Sequence, residues 1–337
     1  MCVVGKSEGA LWRTPEPGNI SQKGFLEKKQ YVSRIMDIIE DLTGKRPGKL
    51  ITIGHQIGNY ELYPKFPWEM EHKGFDSRKE MALSYNKLGF DGIELDVQLG
   101  PELKTPYIIH ERITDTYPEA DQEWKAVQSL YENNSLEKLL KEFIEKRFYK
   151  KRKRIYIELK AKHSDIIDQL EEQTIDETLK IIERLTRNHP DAAAIRKEIA
   201  FISFNHLTLQ RAMMHEGCRP PQADCRDDAG YQFYYLAVSN QARSKLFSRL
   251  ICPEFNDAGH LFIENRDDAT YKEFWDMLNT GTQLTGIWFL PGTLDDGARQ
   301  LSRLNDRREN YFGDTNHAFE FYLSTYQLSH QDLFDAF

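Results

Sequence analysis

Short runs of β-branched and aromatic residues alternate along this chain with stretches of helical spacing. Leu50–Gly54, Gly92–Leu99, Tyr107–His110, Arg154–Leu159 and Ile199–Phe204 read as strands, each ending in polar residues able to do chemistry. The spacing between them predicts a helix over Ser77–Leu88 closed by Gly89, and another behind an N-cap at Ser135. Further helices are expected over Ser164–Leu170, Ile175–Arg187 and His206–His215. Strands that alternate with helices build parallel sheets, and in an α/β barrel the polar strand ends converge on one mouth. The expected fold is therefore α/β, an irregular (β/α)8 TIM barrel over residues 49–337.

Residues 1–48 read as an N-terminal extension. It is irregular through Pro15, Pro17 and Gly18, then helical from Gln22 to Leu42, with Phe25, Tyr31, Ile35, Ile38, Ile39 and Leu42 as candidates for a buried stripe. Lys45–Lys49 breaks that helix with Pro47 and Gly48. The aromatic, proline-rich Tyr60–Trp68 is expected as an ordered loop above the barrel mouth. Beyond residue 217 the alternation is harder to follow. Tyr231–Leu250 looks helical, and Leu261–Glu264 and Leu284–Leu290 are strand candidates with a helix, Tyr271–Leu278, between them. Leu294–Leu304 is a last helical stretch, and no internal repeat interrupts the series.

A net charge of −8 argues against a dedicated nucleic-acid binder, which usually carries basic faces. Lys146–Arg154 is the exception, a basic run that reads either as a solvated loop before a strand or as a patch for anionic lipid headgroups. The expected partners are a small-molecule or lipid-headgroup substrate and at most a peripheral membrane contact, without nucleic acid; the oligomeric state is left open. Four cysteines (Cys2, Cys218, Cys225 and Cys252) have neither metal-site spacing nor the density of a disulfide framework. No apolar run reaches the ~20 residues of a membrane span, and no secretory core stands at the N-terminus. The expected location is cytoplasmic, or secreted by a route without a classical signal peptide.

Glu94 and Asp96 carry most of the chemical information. Residues i and i+2 of a strand share a face, so two carboxylates lie together in an apolar segment. Two buried anions repel and lose hydration unless a cation sits with them. The pair reads either as ligands of a hard divalent ion or as a salt-bridged strand end. Farther along, Glu158 and Lys160 repeat the i, i+2 spacing, and His55 and His110 follow strand candidates.

In this order the motifs Ile53-Gly-His55, Gly89-Phe-Asp-Gly-Ile-Glu94-Leu-Asp96, Tyr107-Ile-Ile-His110-Glu111, Ile157-Glu158-Leu-Lys160 and Ile202-Ser-Phe204 resemble those of glycerophosphodiester phosphodiesterases, over roughly residues 50–215. The resemblance implies a (β/α)8 barrel that cleaves phosphodiesters with one divalent cation, Mg²⁺ or Ca²⁺. Diester cleavage needs phosphoryl charge neutralised, a base for the nucleophile and an acid for the leaving alkoxide. Glu94, Asp96 and Glu158 supply oxygen ligands, His55 and His110 suit base and acid, and Lys160 suits a phosphate contact.

The chain also departs from that pattern. The family's His-Arg-Gly is here His55-Gln56-Ile57, and its Pro-Glu-Asn motif is missing, with Asp76 near the place of its Glu. The missing Arg is similar to the sphingomyelinase D and phospholipase D toxin branch, which releases a cyclic phosphate by attack of a substrate hydroxyl. Trp288 reads either as that branch's tryptophan at the substrate mouth or as a buried core residue. The expectation is a metal-dependent phosphodiesterase acting on a glycerophosphodiester or phospholipid headgroup. The alternatives are a lyase giving a cyclic phosphate and a non-catalytic barrel that binds phosphorylated ligands.

Overall fold

The computed structural model describes residues 2–6, 51–55, 76–87, 89–100, 104–108, 134–160, 169–215, 230–238, 285–290 and 320–324. They form a mixed α/β protein of two compact units. One comprises Met1–His55 with Tyr234–Phe337, the other Gln56–Phe233. Five strands make the sheet of the first unit: β1 (Cys2–Lys6), β2 (Ile51–His55), β7 (Gln232–Val238, of which Tyr234 onward belongs here), β8 (Gly286–Leu290) and β9 (Glu320–Ser324). Their order is β2-β1-β9-β8-β7 with every pairing parallel, a curled sheet with the form of half a barrel.

This unit holds two departures from the sequence reading. Cys2–Lys6 was expected to be irregular, yet β1 lies between β2 and β9, in register Cys2 to Ile51 and Cys2 to Tyr322. The run Cys-Val-Val is too short for periodicity to show, and its partners stand far away in sequence. Tyr231–Leu250 was expected to be helical, but Gln232–Val238 is strand β7. Phe233, Tyr234 and Tyr235 are good strand formers, and long-range pairing with β8 decides their conformation. The expected helices over Gln22–Leu42, Tyr271–Leu278 and Leu294–Leu304, the loop Tyr60–Trp68 and the strand Leu261–Glu264 lie outside the described residues.

The second unit carries β3 (Gly92–Leu99), β4 (Pro106–Ile108), β5 (Arg154–Leu159) and β6 (Ile199–Ser203), in the order β6-β5-β3-β4. Its helices are α1 (Ser77–Asn86), α2 (Leu136–Glu145), α3 (Gln169–Thr186), α4 (Ala192–Lys197) and α5 (His206–Met214). One face of β3 and β5 is Ile93, Leu95, Val97, Ile155, Ile157 and Leu159, all buried. The other face carries Glu94, Asp96, Tyr156 and Glu158, so period-2 alternation separates core from chemistry.

Local signals explain most boundaries. Ser135 caps α2 by accepting from the Lys138 N–H, and Asn205 caps α5 by accepting from the Leu207 N–H at 2.8 Å. Gly89 follows α1 with φ of 67°, a left-handed position that glycine takes without strain. The two helices expected over Ser164–Leu170 and Ile175–Arg187 are, over the described residues, one continuous α3 from Gln169. Buried Glu171 and Thr174 carry its inner face across residues 171–174 to Ile175, Thr178, Leu179 and Ile182.

Strand β4 also corrects the expected barrel series. It pairs with β3 antiparallel, Val97 opposite Ile108 and Leu99 opposite Pro106. A parallel neighbour needs a crossover of a dozen or more residues, and only Gly100–Thr105 joins these two strands. The parallel neighbour of β3 in this unit is β5.

Gly92 sits under the polar face. A Cβ there would stand 2.7 Å from Cε2 of Tyr156, a ring with no exposure to solvent. Gly92→Ala is expected to destabilise the protein by about 1–3 kcal/mol through overpacking, read from urea unfolding.

Candidate functional site: a buried acidic cluster with an internal lysine

Asp96 and Glu158 are register partners across the parallel pair β3–β5, and Glu94 stands two positions before Asp96 on the same face. Their burial is nearly complete, at 1% exposure for Glu94 and Asp96 and 6% for Glu158. One carboxylate oxygen from each lies within 4.8 Å of the others. The sequence placed all three on strand ends; the structure adds that they meet.

Lys160, just beyond β5, joins them. Its Nζ lies 2.6 Å from Oδ1 of Asp96 and 3.0 Å from Oε1 of Glu158. Burial alone would favour the neutral amine, but the two carboxylates outweigh it and hold Lys160 protonated far above the ordinary lysine range. The cluster thus sets three buried carboxyl groups beside one ammonium. The three carboxyl groups offer hard oxygen donors within 4.8 Å of one another, so the residues present fit Mg²⁺ or Ca²⁺.

The polar face continues toward the start of β5. Tyr156 stands two positions before Glu158 and in register with Glu94, its ring beneath the Arg154 guanidinium at 5.9 Å. Tyr156 and the glycine that makes room for it were missed in the sequence. Stepping back by two from Glu94 and from Glu158 would have found both.

Other sequence candidates stand elsewhere. Asp76 caps α1: its Oδ1 accepts from the backbone N–H groups of Arg78 and Lys79, and it pairs with the Arg78 guanidinium at 3.1 Å. Burial pulls its carboxyl upward, but Arg78 and those N–H groups prevail and hold it below its usual range. The polar end of β6 also does structural work. Ser203 Oγ donates to the Leu159 carbonyl at 2.9 Å and accepts from the Asn205 N–H.

Trp288 lies in β8 of the first unit, 2% exposed, in register with Leu236 and Tyr322. His55 ends β2 in that same unit, and its side chain is outside the described residues, as are Gln56 and His110.

Comparison with protein-family models, with curated proteins and with solved structures finds no match for this chain. Among the described residues, no helix is long and apolar enough to cross a membrane.

Proposed function

We propose that this chain is a metal-dependent phosphodiesterase acting on a glycerophosphodiester or a related phospholipid headgroup. The observation that carries the reading is the buried convergence of Glu94, Asp96 and Glu158, whose oxygens lie within 4.8 Å of one another beside Lys160. The three carboxylates would hold Mg²⁺ or Ca²⁺, which when bound supplies charge neutralisation for the phosphoryl oxygens. Lys160 meets the substrate phosphate as a point charge. His55 and His110 are the proton-transfer pair: one takes the proton of the attacking water, the other gives a proton to the leaving alkoxide. The closed (β/α)8 barrel is part of the same proposal, supported by the mixed α/β elements and the parallel strands.

The experiment is a headgroup panel, from glycerophosphocholine through lysophosphatidylcholine to sphingomyelin, run with and without EDTA and followed by ³¹P NMR. Cleavage that EDTA abolishes is expected, with His55→Ala and His110→Ala each lowering the rate by about 10²–10⁴-fold. A lasting cyclic phosphate would assign attack to a substrate hydroxyl instead of water. No cleavage of any diester with Mg²⁺, Ca²⁺ or Mn²⁺ overturns the proposal.

A second reading rests on Lys160. An ammonium already bridging two of the three acids can hold the cluster together without metal, as in a non-catalytic barrel that binds phosphorylated ligands. It predicts ligand binding that EDTA leaves unchanged.

A further inference from the structure

The end of the second unit opposite the acidic cluster is strongly basic. Strands β3, β5 and β6 all start there, and three segments lead into them: 87–91, 145–154 and 187–198. Together these hold eleven Lys or Arg against four Asp or Glu, a surplus of seven in a chain whose net charge is −8.

Hydrogen bonds draw the segments into one surface. The Arg154 N–H donates to the Asp91 carbonyl, and Lys153 Nζ donates to the Phe90 carbonyl. The Ile155 N–H donates to the Glu198 carbonyl, and Lys150 pairs with Asp191 at 2.8 Å.

Local ion pairs account for only part of the charge. Lys146 meets Glu142, Lys150 meets Asp191, Arg154 meets Glu198 and Arg187 meets Glu183. Lys87, Arg147, Lys151, Arg152 and Lys197 are exposed, with no carboxylate in ion-pair distance among the described residues. A rigid frame presents three of them. Arg147 and Arg152 flank a 3-10 turn, Phe148–Lys151, in the left-handed region at φ of 53° and 54°. That conformation costs roughly 1–2 kcal/mol for a residue with a side chain. Phe148 and Tyr149 anchor the turn from below, buried at 1% and 4% exposure.

We propose that this basic end docks the protein reversibly on anionic lipid bilayers, through Lys87, Arg147, Lys151, Arg152 and Lys197. Lipid is favoured over nucleic acid because the turn's aromatic residues are buried, leaving no stacking platform for bases. Each Lys or Arg near an anionic leaflet is worth roughly fivefold in partitioning. Glu158 stands four residues along β5 from Arg154, about 13 Å at ~3.3 Å per residue, so docking by this end keeps the acidic cluster off the bilayer. Given the phosphodiesterase reading, the diester then reaches the site from water.

The test is co-sedimentation of the full chain with vesicles of phosphatidylcholine alone or with 30% phosphatidylserine. Binding only to the anionic vesicles is expected, lost in high salt and lowered about a hundredfold or more in Arg147→Glu/Lys151→Glu/Arg152→Glu. Lys87→Glu/Lys197→Glu, on the outlying segments, is expected to weaken it as well, and decides the matter if the triple variant fails to fold. Equal binding to neutral vesicles, binding unchanged in the variants, or tighter binding to a nucleic-acid homopolymer overturns the proposal. None of these readouts depends on catalysis, so the docking surface and the phosphodiesterase reading fail separately.

Discussion

Lys160→Met is expected to destabilise the protein by about 3–5 kcal/mol in EDTA, the cost of removing the ammonium from a buried charge cluster. Asp96 and Glu158 would keep their burial and their mutual repulsion but lose the ammonium at 2.6 and 3.0 Å. Millimolar Mg²⁺ or Ca²⁺ is expected to restore much of that loss, because a divalent ion satisfies the same oxygens. In the unaltered protein the cation adds less, since Lys160 already stabilises the site. Urea unfolding with and without the ion gives both numbers. A variant as stable as the parent in EDTA would mean that the carboxylates are not held charged together. A destabilised variant that cations do not rescue would favour the metal-free reading.

Phe143→Ala is expected to cost a similar 3–5 kcal/mol for an unrelated reason. Phe143 is fully buried on α2, with ring centroids 6.2 Å from Phe148, 6.4 Å from Tyr85 and 6.5 Å from Tyr149. Truncation removes the ring at the middle of this cluster and leaves a cavity that α2, α1 and the 3-10 turn close only in part. No cation should rescue this variant. It is therefore the control that separates general instability from a change at the acidic site.

Glu198 gives a pH signature. Burial raises its carboxyl above the ordinary value, more than Arg154 at 3.5 Å lowers it. A carboxyl raised in the folded state contributes stability at low pH, and that contribution is lost as pH climbs through the raised value. Glu198→Gln is therefore expected to gain stability relative to the parent as pH rises above the ordinary glutamate range. Parallel pH profiles of the urea midpoint check it, and a Glu198→Gln midpoint that does not rise relative to the parent's as pH rises would contradict it.

Much of the second unit was legible in its sequence because the signals there are local. Ser135 and Gly89 mark helix ends, and Glu94 and Asp96 declare a shared face by spacing alone. What stayed hidden depends on partners far off in the chain. The register that sets Asp96 beside Glu158 is a property of two strands separated by α2, and neither strand carries it alone. Strand β1 and strand β7 are held by neighbours hundreds or tens of residues away, so their own short runs said little. The direction of β4 was the avoidable miss, since the six residues after β3 rule out a crossover. The basic run was visible as Lys146–Arg154, but its joining to segments 87–91 and 187–198 was not.

The central claim is that Glu94, Asp96 and Glu158 hold one divalent cation. Isothermal titration of EDTA-stripped protein with Mg²⁺, Ca²⁺ or Mn²⁺, repeated on Asp96→Asn, tests it most directly. One bound ion per chain, with binding weakened at least tenfold in the variant, is the result expected. No binding at millimolar ion, or binding that Asp96→Asn leaves unchanged, would contradict it.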